Sequence, residues 1–233
     1  MSNWTLVQSK TNVAVAATTV TATFDAPTVA GNLVIVGIRT AAGIVINTPT
    51  DDASGGTNTY QNLGQNGTAP APRVKAYVND TILGIISKAA SAITVTTGAS
   101  TTIEIIIAEF APGHPLQNIS TAIGAGTTET SWATGSFTPP AGALIIAFAS
   151  ADVAASFTAG SGYTLTGAVG TFCAMEYKLS APGSSETAPI SVAVGGSGWA
   201  ERAHWFDQVI PPGLGGTGSQ PERQGFSAAM LRY

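Results

Sequence analysis

"AGNLVIV" (Ala30–Val36) and "AGALIIA" (Ala141–Ala147) are nearly the same phrase, written twice in one chain. Each is a short apolar run entered through a small-residue turn. Extended by two residues, the first becomes "NLVIVGI", apolar on both parities, which predicts a strand covered on both faces. The residues before it behave differently. In "TTVTATF", Val20, Ala22 and Phe24 alternate with Thr19, Thr21 and Thr23, the mark of a strand with one wet face.

The likeness extends outward from these two phrases. Phe24 precedes the first and Phe137 the second, with proline in each gap. "NTYQNLG" (Asn58–Gly64) matches "SGYTLTG" (Ser161–Gly167), and "KAYVND" (Lys75–Asp80) matches "MEYKLS" (Met175–Ser180). "ITVTTGASTTIEIIIAEF" from Ile93 aligns without a gap on "ISVAVGGSGWAERAHWFD" from Ile190. That alignment sets Ile93, Val95, Gly98, Ser100 and Glu104 against Ile190, Val192, Gly195, Ser197 and Glu201. The order is kept throughout, which predicts an internal duplication with halves at 13–113 and 126–210.

A unit of roughly 100 residues with five or six strands leaves apolar faces and sheet edges open. Two arrangements close them: each half is a small sandwich, or both interleave in one large sandwich. The doubly apolar strands favour a shared core. The expected fold is therefore all-β, an antiparallel, jelly-roll-like β-sandwich over residues 1–210. The one helix candidate is "NDTILGIISKAA" (Asn79–Ala90).

After Ile210 the strand pattern stops. "PPGLGGTGSQPERQ" reads as a Pro/Gly/Ser linker leading to "GFSAAMLRY". Segment 211–233 is expected to be an extended C-terminal arm that grips a neighbouring subunit through Phe226, Met230, Leu231 and Tyr233. Three of these, Phe226, Met230 and Tyr233, lie near one face of a helix.

Composition narrows the function classes. Hydrophobic residues make up 44% of the 233-residue chain and charged residues only 9%, so a folded body is expected rather than a disordered one. Nine basic side chains against thirteen acidic ones, with no basic cluster, argue against nucleic acid as a partner. No apolar run is long enough to span a bilayer, and "MSNWTLVQSK" lacks the basic-then-apolar form of a signal peptide. The lone Cys173, in "TFCAMEY", is expected to be a buried, inert thiol.

Catalytic candidates are few. His114 sits in the turn "PGHP"; His204, in "AERAHWF", is the only base in a plausible setting. Glu104 and Glu201 hold equivalent places in the gapless alignment, so a twofold arrangement would let them face each other as a glycosidase pair. Alternatively they pair with Arg39 or Arg202. Asp51, Asp52 and Asn58 in "TDDASGGTN" are oxygen donors suited to calcium, although turn formation explains them equally. The four tryptophans, Trp4, Trp132, Trp199 and Trp205, default to core packing. No catalytic, metal or cofactor site is expected.

The order "GNLVIVGI", an Asp-rich turn with "NTY", a strand with "AY", "ITVTTGAS" and "IIIAEFAPG" resembles a pattern in β-sandwich proteins of tailed bacteriophages and prophages and of related bacterial surface proteins. It covers Ala30 to Gly113 and, more loosely, the second half. It departs at the longer turn "DDASGGTNTY" and at "EFAPG", which lacks a serine usual there. The resemblance implies a sandwich in a virion context and no reaction. The expectation is a non-enzymatic capsid decoration or cement subunit, made in the host cytoplasm and bound to other virion proteins, with homo-oligomers formed. The alternative is a carbohydrate- or receptor-binding module of a tail or fibre.

Overall fold

The computed structural model describes residues 4–66, 73–79, 88–111, 116–117, 121–126, 131–167, 170–192 and 198–208. The C-terminal residues Phe226, Met230, Leu231 and Tyr233, His114 and most of the helix candidate lie outside them. The first half contains β1 (Thr5–Thr23), β2 (Leu33–Thr40), β3 (Thr50–Asp51), β4 (Tyr60–Asn66), β5 (Arg73–Asn79) and β6 (Ala92–Ala111). The second contains β7 (Leu116–Gln117), β8 (Thr121–Gly126), β9 (Ser131–Ala133), β10 (Leu144–Ala151), β11 (Phe157–Ala159), β12 (Thr164–Leu165), β13 (Cys173–Lys178), β14 (Pro189–Val192) and β15 (Trp199–Gln208).

The molecule is an antiparallel β-sandwich. One main sheet runs β1-β6-β2-β5-β4, and the other runs β12-β13-β10-β15-β7 with β8 also on β15. They meet face to face. Leu33, Ile35, Val74, Ile106 and Phe110 of the first share one core with Leu144, Ile146, Phe148, Met175 and Phe206 of the second. β2 and β10 are central strands buried along their whole length, as the doubly apolar phrases require.

Each main sheet is covered on its other face by a smaller layer from its own half. In the second half this layer is β11-β14-β9. In the first it is made by the far ends of β1 and β6, joined by β3. Val95 and Ile105 lie ten positions apart on β6, which would separate them by roughly 33 Å in a straight strand. Both belong to one cluster with Val20, Val34 and Ile38, so β6 folds over the sheet it helps to form. β1 turns the same corner through register shifts after Ala14 and after Ala17, with Ala16 at a φ of 50°.

The two halves therefore follow one course. β8 and β9 stand where β1 does, β14 and β15 where β6 does, and β10, β13, β12 and β11 where β2, β5, β4 and β3 do. The strands do not interleave: every ladder among the described residues joins strands of the same half. The interleaved arrangement is therefore not formed: each half is a small two-layered body, and the expected shared core lies between the two bodies.

The register corrects the gapless alignment. Leu33 opposes Phe110 and Arg39 opposes Glu104, whereas Leu144 opposes Phe206 and Ser150 opposes Ala200. Matching Leu33 with Leu144 sets Glu104 against Ala200, and Glu201 falls beside Ile105 instead. The second half is one residue shorter between Val192 and Ala200. A slip of one residue turns a side chain to the opposite face of its sheet.

Candidate functional site

Glu104 shows what that slip does. On β6 it shares a parity with Ile106 and Phe110 and faces the second half. Glu201 shares a parity with Trp199 and Ala203 on β15, and these pack into the second half's own clusters. Main-sheet backbone lies between the two carboxyl groups, so Glu104 and Glu201 do not form the facing pair that the alignment suggested.

The surroundings of Glu104 form the most elaborate polar site at the seam between the halves. Its Oε1 accepts the Thr171 N–H at 2.8 Å and its Oε2 the Phe172 N–H at 2.9 Å. Gly170 lies so near that a Cβ there would come within 2.7 Å of Oε2. Arg39, across the ladder, places its guanidinium over the Phe172 ring at 4.5 Å and donates to the Ala151 carbonyl at 3.3 Å. Burial lowers the Arg39 pKa, and the nearby Glu104 carboxylate opposes that shift. Beside them the Cys173 thiol is fully buried; burial first, then Glu104, push its pKa well up, so the thiolate is disfavoured. Arg39, one of the two partners considered from the sequence, is the cation facing Glu104.

A cleft of about 210 Å³ opens over this group, lined by Thr11, Asn12, Val13, Glu104, Gly170 and Thr171. Its carboxylate floor is already held by two backbone N–H groups. The Thr11 and Thr171 hydroxyls and the Asn12 amide are the other polar side chains around it.

Other contacts cross the same seam. Arg202 reaches from β15 to the Gln65 carbonyl at 2.6 Å and the Leu63 carbonyl at 2.9 Å on β4. This close approach passes beside Gly64, whose φ of 102° suits glycine and where a Cβ would collide with the guanidinium. Asn66 donates to the Glu201 carbonyl at 3.0 Å, and the Ser9 hydroxyl donates to the Thr166 carbonyl. His204 lies on the same face of β15 as Arg202. Burial, with the Arg202 charge adding to it, pushes its pKa down to about 3, so it is neutral near pH 7.

The calcium candidates form a closed turn. Asp51 Oδ1 accepts the Ala53 and Asn58 N–H groups, and its Oδ2 accepts from the Asn58 amide at 2.7 Å and the Tyr60 hydroxyl at 2.8 Å. Asp52 accepts the Ser91 and Ala92 N–H groups. The Lys88 ammonium donates to the Gly55 and Gly56 carbonyls. Donor hydrogens thus occupy the directions in which a cation would be coordinated.

Two acids missed in the sequence are buried within strands. Glu109 binds the Val29 N–H, the Asn32 amide and the Gln8 amide at 2.6–2.7 Å. Glu176 lies in the second half near Glu201, and its Oε2 accepts the Gly160 N–H at 2.9 Å. The available signal was an acid set inside an otherwise apolar run, as in "IIIAEF" and "CAMEY". Of the tryptophans, Trp4, Trp132 and Trp199 are buried. Trp199 stacks on Trp132 at 5.3 Å, and the half-buried Trp205 stacks on Phe137 at 5.6 Å.

No protein-family model, curated protein or solved structure matches the chain.

Proposed function

We propose that this protein is a non-enzymatic structural subunit of a bacteriophage virion, a capsid decoration or cement protein with a jelly-roll-like, internally duplicated body. In this reading segment 211–233 ties the body to neighbouring virion subunits, with homo-oligomers formed on the particle. The observation that carries it is the use of the acidic side chains as internal fasteners. Glu104, Glu109, Asp51 and Asp52 each accept two or more hydrogen bonds from their own chain. A subunit folded in this way is stabilised further by mass action when it binds an existing lattice. Low charge and the sequence resemblance to phage sandwiches point the same way.

The test is deletion of residues 211–233. The truncated chain should keep the sheet signature in far-ultraviolet circular dichroism but lose co-sedimentation with phage shells. Normal binding by the truncated protein would overturn the role of the arm. A sugar-binding module would present exposed aromatic platforms, and Trp199 and Trp205 are the tryptophans to weigh for that role. Trp199 is buried and both are stacked on aromatic neighbours, so no observation favours that alternative.

A further inference from the structure

We propose that Glu176 and Glu201, buried near each other between the main sheet of the second half and its outer layer, act as a pH-sensitive latch that holds the layer while protonated and loosens it on ionising. β10 lies between β13 and β15, with Ala147 opposite Glu176 and Ala149 opposite Glu201. The two alanines leave room for both carboxyl groups on the face covered by β9, β11 and β14. Both glutamates are fully buried. Glu176 Oε1 and both carboxyl oxygens of Glu201 have no hydrogen-bond partner among the described residues.

No free cation faces them among the described residues. The outer layer contributes Trp132, Phe157, Ile190 and Val192 and no charged residue. β8, next to β15, has no titratable residue in its sequence. Around the pair lie the Tyr163 phenol, which donates to the Thr187 carbonyl, and Glu186, which binds the Lys178 ammonium at 2.8 Å. Lys178 also sits over the Tyr163 ring. Arg202 and His204 point to the opposite face of β15. Two bare carboxylates in such a place are strongly disfavoured, so at least one proton is retained. Burial, opposed by the Gly160 hydrogen bond, raises Glu176 to about 7. Burial and then the neighbouring Glu176 raise Glu201 well above its ordinary value.

Both folded-state values exceed the unfolded value of 4.5, so the folded chain holds protons that the unfolded chain releases. The stabilisation is complete below pH 4.5 and is lost as pH rises towards and past 7. The stacked Trp132 and Trp199 report on the event, because one ring belongs to the outer layer and the other to the main sheet.

The experiment compares the full chain with Glu201→Gln and with the double variant Glu176→Gln/Glu201→Gln between pH 5 and 8.5. Near-ultraviolet circular dichroism follows the tryptophan stack, far-ultraviolet dichroism the sheets, and thermal melts the stability. Unmodified protein should lose near-ultraviolet signal and several degrees of Tm as pH rises, with the far-ultraviolet signal kept. The single variant should reduce that loss and the double variant remove it; His204 and the surface carboxylates cancel in the comparison. An unmodified protein insensitive to pH, or a double variant as sensitive as the parent, would overturn the latch. If the variants fail to fold, the near- and far-ultraviolet signals of the unmodified protein decide alone.

Discussion

A carboxylate can enter a β-core only if the fold supplies donors for it, and Glu104 shows how closely the neighbours are tied to that requirement. Its loss would strand two backbone N–H groups and remove one of the negative charges that favour the buried Arg39 guanidinium. Glu104→Ala should therefore destabilise the protein by about 2–5 kcal/mol, measured by urea unfolding. Glu104→Gln keeps an acceptor for one N–H and should cost less. The residue types at this seam were visible in the sequence, including Arg39, which stands opposite Glu104 on the ladder. The face that each acid occupies was not. One residue fewer between Val192 and Ala200 reverses the orientation of everything after it, and no composition or motif records that.

At the level of strands, the sandwich depends on how closely its two main sheets approach. Gly37, in the middle of β2, marks a close apolar contact there: a Cβ would lie 2.6 Å from the Phe148 ring on β10. Gly37→Ala should overpack the shared core and cost about 1–3 kcal/mol, read as a lower urea midpoint. Phe148→Leu in the same background should recover part of the loss by vacating the ring's place. The central strands were legible because apolar residues on both parities have one explanation in a sheet. The alternation of Val20, Ala22 and Phe24 was legible for the same reason, and all three are buried. The start of β1 was hidden, since "TLVQSKTN" mixes polar residues on both faces. Its ladder nonetheless begins at Thr5, ahead of the first half's expected start at residue 13. The nearness of Glu176 to Glu201 was equally hidden, because it depends on β10 lying between their strands.

Across the whole molecule, the two halves follow one path and share one core. In the first half β1 and β6 each run unbroken from the main sheet into the outer layer. An outer layer continuous with its main ladder cannot detach without unzipping that ladder. Native-state hydrogen exchange should accordingly find the amides of Ile93–Val95 and Val20–Ala22 opening together with those of the β1–β6 ladder in the main sheet, at one common free energy. A tear begun at the rim of the first half must run down that ladder before anything comes loose, so the folded-over strands serve the sheet as a hem.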